Sequence, residues 1–207
     1  MKKNILLFLI IILFESCKSI AWIGYDKPEE SDYIEIEAAP IKIGMQNLKT
    51  EEQKQAIKEA TKEVFLIFKS PEFKQAVESK EWLISCKVKN GNKDVLNGKE
   101  VFKILDNGYV NFSINPRKPW NAIAQAQKSE TDHTKNRVAI KPKRINKWFS
   151  NDKKIKSELI NTIAHEITHT VSFKFLDAGH GTLECPDAKL VSYGIGNLVA
   201  KMWREKQ

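Results

Sequence analysis

The 207-residue chain predicts an α+β domain. Three observations carry that expectation. Two helical patterns come first, in residues 50–79. Short strand-like segments follow, between residues 81 and 142. Two long helical patterns close the chain, at 152–173 and 187–204. Helices and strands are grouped in runs. They do not alternate as a doubly wound parallel sheet would require.

The elements follow in order. "DYIEIEAAP" (32–40) alternates apolar and acidic residues and predicts a short strand. Residues 50–69 predict a helix, with Thr50 as N-cap and glutamates in the first turn. Ala56, Ile57, Ala60, Val64 and Phe68 form its apolar stripe. Pro71 opens a second helix that runs to about Ser79. "EWLISCKV" (81–88) reads as a strand and "NGNKDVLNG" (90–98) as a turn-rich loop. A short helix over 99–106 and a strand over 108–115 follow. Residues 121–128 are small and polar, and read as helix or loop. "NRVAIKP" (136–142) is a strand whose Pro142 suggests a sheet edge. Asp152 caps the central helix. The domain is therefore assigned to 50–207, with 17–49 as tether and N-terminal segment.

The formal net charge is +8, from 34 basic and 26 acidic residues. The lysines read as scattered, and no dense arginine–aromatic cluster occurs, so nucleic acid is not an expected partner. Lys2 and Lys3 precede the apolar run "ILLFLIIILF" (5–14). That run is too short to span a bilayer and suits the core of an export signal. "FESC" (14–17) resembles the lipobox of bacterial lipoproteins. By that resemblance residues 1–16 are a signal peptide. Lipid on Cys17 then holds the protein on a membrane of the bacterial envelope, with secretion as the alternative. Cys86 and Cys185 would either bridge or stay as buried thiols.

Residues 161–173, "NTIAHEITHTVSF", carry the chemistry. Leu159, Ile160, Ile163, Ala164, Ile167 and Val171 cluster on one face of a helix and would pack on the core. His165 and His169 fall on the other side with Glu158 and Thr162, facing solvent or a cleft. One helical turn separates the two imidazoles, so both can reach one ion about 2 Å from each. Glu166 stands beside them, placed as a general base. Catalytic zinc takes three protein ligands and leaves a position for water. His180, in "GHG", is the favoured third ligand, because flanking glycines allow a sharp reversal. Asp177, Glu184, Cys185 and Asp187 are rivals. His133 lies in a polar loop.

"HEITH" resembles the motif of the zincin metallopeptidases. The metzincin continuation is absent, since Ser172 and Phe175 occupy the positions of its glycine and third histidine. The thermolysin-like pattern is absent too, with Lys189 at the expected spacing and Glu184 the nearest glutamate. The chain is most similar to small bacterial zinc-dependent peptidases that share a helical HExxH, a GHG (Gly179–Gly181) and a YxIG segment (Tyr193–Gly196). The resemblance covers the chain from the 136–142 strand onward. It implies a zincin-like domain that binds Zn2+ through His165, His169 and His180. It also implies peptide-bond hydrolysis with Glu166 as catalytic base. Tyr193 is then either a hydrogen-bond donor to the oxyanion or a packing residue. Trp120, Trp148 and Phe173 belong to the core or the cleft wall. The expected substrate is a peptide or protein, aligned on an edge strand at Arg137 to Ile140, and the expected state is a monomer. The alternative function is a non-catalytic envelope lipoprotein that binds a protein or glycan.

Overall fold

A computed structural model describes residues 33–36, 39–45, 50–85, 94–107, 112–115, 124–127, 136–172, 174–175 and 186–207. The described elements form an α+β fold. In chain order they begin with β1 (Tyr33–Ile36), β2 (Ala39–Met45), α1 (Glu51–Phe68), α2 (Pro71–Glu78), β3 (Glu81–Leu83) and β4 (Val95–Asn97). Next come α3 (Gly98–Asn107), β5 (Phe112–Asn115), β6 (Ala124–Gln127), β7 (Asn136–Ile140) and α4 (Pro142–Ile145). A 3-10 turn (Asn146–Phe149) leads into α5 (Lys153–Val171). A second 3-10 turn (Asp187–Lys189) leads into α6 (Val191–Lys206).

The main sheet has five strands in the order β1-β2-β5-β7-β6. β2, β5 and β7 run parallel, and β1 and β6 are the antiparallel edges. The β1–β2 hairpin thus adds to the sheet ahead of residue 50. Arg137 to Ile140 were expected at an edge, and the structure corrects this. β7 lies between β5 and β6, and Val138, Ala139 and Ile140 are buried at consecutive positions. Burial on both faces is the mark of an interior strand. Pro142 has a different meaning here. It takes the first position of α4 after Lys141, where a missing N–H costs nothing.

The edge beside β7 is β6, in a stretch read from sequence as helix or loop. "AQAQ" has low strand propensity. Pairing with β7 in the register Ala124↔Ile140 to Gln127↔Arg137 overrides it. Ala124 and Ala126 pack against the core. A second departure is β4, which lies inside the predicted 90–98 loop and pairs antiparallel with β3.

Thr50 and Asp152 cap their helices as predicted, Ser70 caps α2, and the last helix begins at Val191 rather than 187. Thr50 Oγ1 accepts from Gln53 N at 3.2 Å, Ser70 Oγ from Phe73 N at 3.3 Å, and Asp152 Oδ1 from Lys154 N at 2.7 Å. The stripe of α1 is buried, and Phe68 meets Phe73 of α2 at 5.0 Å between ring centroids. Leu159, Ile160, Ile163, Ala164 and Ile167 of α5 are buried as expected, and Val171 is partly so. α5 packs against β6 and β7 on one side and along α6 on another. Arg204 donates to Ser157 Oγ at 2.8 Å, and Trp203 meets Trp148 at 5.7 Å. Trp148 belongs to the core, its indole N–H donating to Glu59 at 2.8 Å.

Between β7 and α5 the chain is riveted twice. Ile145 and Trp148 plug into the core from above. Glu158 accepts from Arg144, and from Lys147 at 2.6 Å. Burial raises the Glu158 pKa, but the Lys147 hydrogen bond and the two cationic charges outweigh it, so the net shift is below the ordinary 4.5. A depressed folded pKa contributes stability above the unfolded value, lost as pH falls through the folded one. The expected result is that Glu158→Gln flattens the stability–pH curve below about pH 4.5, the ordinary value, in acid titrations of the melting temperature. Ile163→Ala, at a site only 1% exposed, should cost about 2–5 kcal/mol in urea unfolding.

Candidate metal centre

α5 carries the site on its last two turns. The i, i+4 spacing sets His165 and His169 one above the other, with ring centroids 5.0 Å apart at 73°. Their Nε2 atoms converge to 3.2 Å. Glu166 Oε1 is 3.9 Å from His165 Nε2, and the residue is buried. Donor atoms of His165, Glu166 and His169 all lie within 4.8 Å of one another.

Each imidazole is held from its other side. His169 Nδ1 lies 2.8 Å from the carbonyl oxygen of Phe175. A carbonyl only accepts, so Nδ1 carries the proton and the neutral ring keeps its Nε2 lone pair for a ligand. The turn that supplies this carbonyl follows directly on the helix. Ser172 leaves α5 in an extended conformation, its hydroxyl accepts from Lys174 N at 3.1 Å, and Phe175 is buried in the core. In the sequence Phe175 is only the residue in place of a third histidine. Its backbone turns out to orient the second one.

His165 is held by α6. The Tyr193 ring stands edge-on to the His165 ring, with centroids 4.5 Å apart at 77°. Tyr193 also packs against Leu83 and Leu190, which join in a parallel bridge between β3 and the start of α6. Close approach of the two helices needs Gly196. A Cβ there would stand 2.9 Å from the Asn161 carbonyl oxygen and 3.2 Å from His165 Cβ. Gly194 is similarly confined, with a Cβ 2.4 Å from the Trp82 ring. Glycine in a helix interior costs about 1 kcal/mol against alanine. Two in "YGIG" were therefore a readable sign of tight packing. Beside them Asn161 donates to Asn197 at 2.8 Å, across the same seam.

The donor set suits a zinc ion. Two nitrogens bound to one tetrahedral ion at about 2.0–2.1 Å stand about 3.3–3.4 Å apart, close to the separation found. The same separation also suits an N–H···N bond from His165 to His169. The histidine side of α5 is not an open face. Thr162 and Glu166 are buried, Thr162 Oγ1 donates to the Glu158 carbonyl, and the His165 side chain is 11% exposed. Among the described residues, Asp187 does not join the three convergent donors. His180, Asp177, Glu184, Cys185, His133, Trp120, Phe173, Cys17 and Cys86 lie outside the described residues. The chain matches no family model, no curated protein and no solved structure. No helix among the described residues is long and apolar enough to cross a membrane.

Gly196→Ala is expected to destabilise the fold by about 1–3 kcal/mol through overpacking, measured by urea unfolding. The nearest obstacle is the backbone oxygen of Asn161, which cannot swing aside.

Proposed function

We propose that the protein is a zinc-dependent peptidase of zincin type. The observation that carries this reading is the convergence of His165 Nε2 and His169 Nε2 beside the Glu166 carboxylate, with His169 held in the ligating tautomer by Phe175. His165 and His169 would hold the ion, and His180 is the third ligand we propose. Bound there, zinc supplies Lewis acidity toward a carbonyl and makes water a nucleophile near neutral pH. Glu166 takes the proton of the attacking water and delivers it to the leaving amine. Its burial removes competing solvent from the carboxylate.

β6 supports a peptide substrate. It is an antiparallel edge strand that packs against α5, the helix bearing the histidines. An extended peptide could add to that edge through main-chain hydrogen bonds. The apolar run 5–14 and Cys17 support placement in the bacterial envelope on a lipid anchor.

Glu166→Gln should retain zinc while peptide cleavage falls on the order of 10²–10⁴-fold. His165→Ala should lose both. Metal analysis and a peptide-library assay read these outcomes. Wild-type protein purified in the presence of zinc yet free of it would refute the reading. For the anchor, wild-type protein expressed in bacteria should incorporate labelled fatty acid, and Cys17→Ser should not.

A further inference from the structure

The charge of this molecule is not evenly spread. Residues 141–156, "KPKRINKWFSNDKKIK", hold seven basic side chains and one acidic one. The sequence alone reads as scattered lysine, but the fold gathers this run into one platform. α4 and the 3-10 turn lie against the start of α5. Ile145 and Trp148 fasten the platform from beneath, and Lys156 lies over the Trp148 ring at 5.2 Å. Glu59 accepts from the Trp148 indole and feels the Lys156 charge, and Lys153 donates to Gln207 at the C-terminus at 2.6 Å. Glu158 holds Arg144 and Lys147, and Asp152 caps α5. Lys141, Lys143 and Lys154 make no ion pair with any described residue. In the same run Phe149 is 53% exposed, the most exposed large apolar side chain among the described residues.

Unpaired lysines in one run with an exposed aromatic ring match the headgroup region of an anionic bilayer. The lysines meet lipid phosphates, and the ring enters the boundary below them. We propose that this platform, built on Lys141, Lys143, Phe149 and Lys154, is a docking surface for anionic phospholipid. The proposal rests on the envelope placement above and not on the zinc site. Lipid on Cys17 tethers the chain, and a basic patch on the folded domain sets which face meets the surface. Twelve residues of α5 separate Lys153 from His165, about 18 Å of helix. Docking at the platform end therefore leaves the histidines well away from the bilayer contact.

The test uses the full chain carrying Cys17→Ser, so that no lipid is attached. Binding is measured by co-sedimentation with phosphatidylglycerol vesicles and with phosphatidylcholine vesicles, which report the background from residues 5–14. Lys141→Glu, Lys143→Glu and Lys154→Glu combined should weaken phosphatidylglycerol binding on the order of 100-fold. Phosphatidylcholine binding should not change, and the same three positions as arginine should retain the wild-type affinity. Phe149→Ala should weaken binding about fivefold, with its melting curve as the check on folding. Equal binding of wild type and the charge-reversed variant to phosphatidylglycerol would overturn the proposal. So would wild-type protein that prefers duplex DNA to the vesicles. Because the readout is vesicle binding, failure here leaves the zinc reading to its own test.

Discussion

The contact between α5 and α6 governs the rest of the molecule. Gly196 lets the two helices close until the backbone of α6 lies over Asn161 and His165. That closeness aligns the Tyr193 ring with the His165 ring and puts Asn161 beside Asn197. It also brings the far end of α6 back to the start of α5, where Arg204 reaches Ser157 and Trp203 reaches Trp148. A larger residue at 196 would separate the helices at the point where α6 meets Asn161 and His165. The cost of glycine in a helix is therefore met by packing that no side chain could supply.

Preorganisation of the histidine pair comes from two directions. α6 holds His165 through a ring contact, and the turn after α5 holds His169 through the Phe175 carbonyl. Both supports are anchored in the core, since Phe175, Leu190 and Ile195 are buried. A ligand held by such a second layer loses little freedom when it binds a metal, and its tautomer is set in advance. Glu166 differs from the histidines in its depth. It is the acidic residue that α5 buries, while Glu158, two turns earlier, stays partly exposed between Arg144 and Lys147.

The two ends of α5 thus have separate roles. The C-terminal turns hold the convergent donors. The N-terminal turns meet a riveted segment whose cations exceed its acids. The sheet lies along the helix between them, with β6 as the edge strand beside β7. The edge strand β6 and the donor cluster thus meet on the same helix, the strand by packing and the donors by sequence.

Local chemistry was sufficient for much of this. Thr50, Ser70 and Asp152 sit before helices because each offers an oxygen to an unpaired backbone N–H, a rule that operates within three residues. The apolar stripe of α5 and the His165–His169 spacing follow from helical periodicity alone, and so does the place of Glu166 beside them. Sheet pairing was not legible. Whether 136–140 is an interior or an edge strand depends on partners at 112–115 and 124–127, which are remote in sequence. "AQAQ" becomes a strand only because β7 offers it a ladder. The Phe175 carbonyl is likewise invisible to residue identity, because a backbone atom carries the contact. The closure at Gly196 left a faint sign in its glycines, but its partner across the seam emerged only when α6 folded back along α5. Sequence alone determined which donor groups share one side of α5. Tertiary structure decided what holds those groups in place, because the Phe175 carbonyl and the Tyr193 ring arrive through contacts that no local pattern encodes.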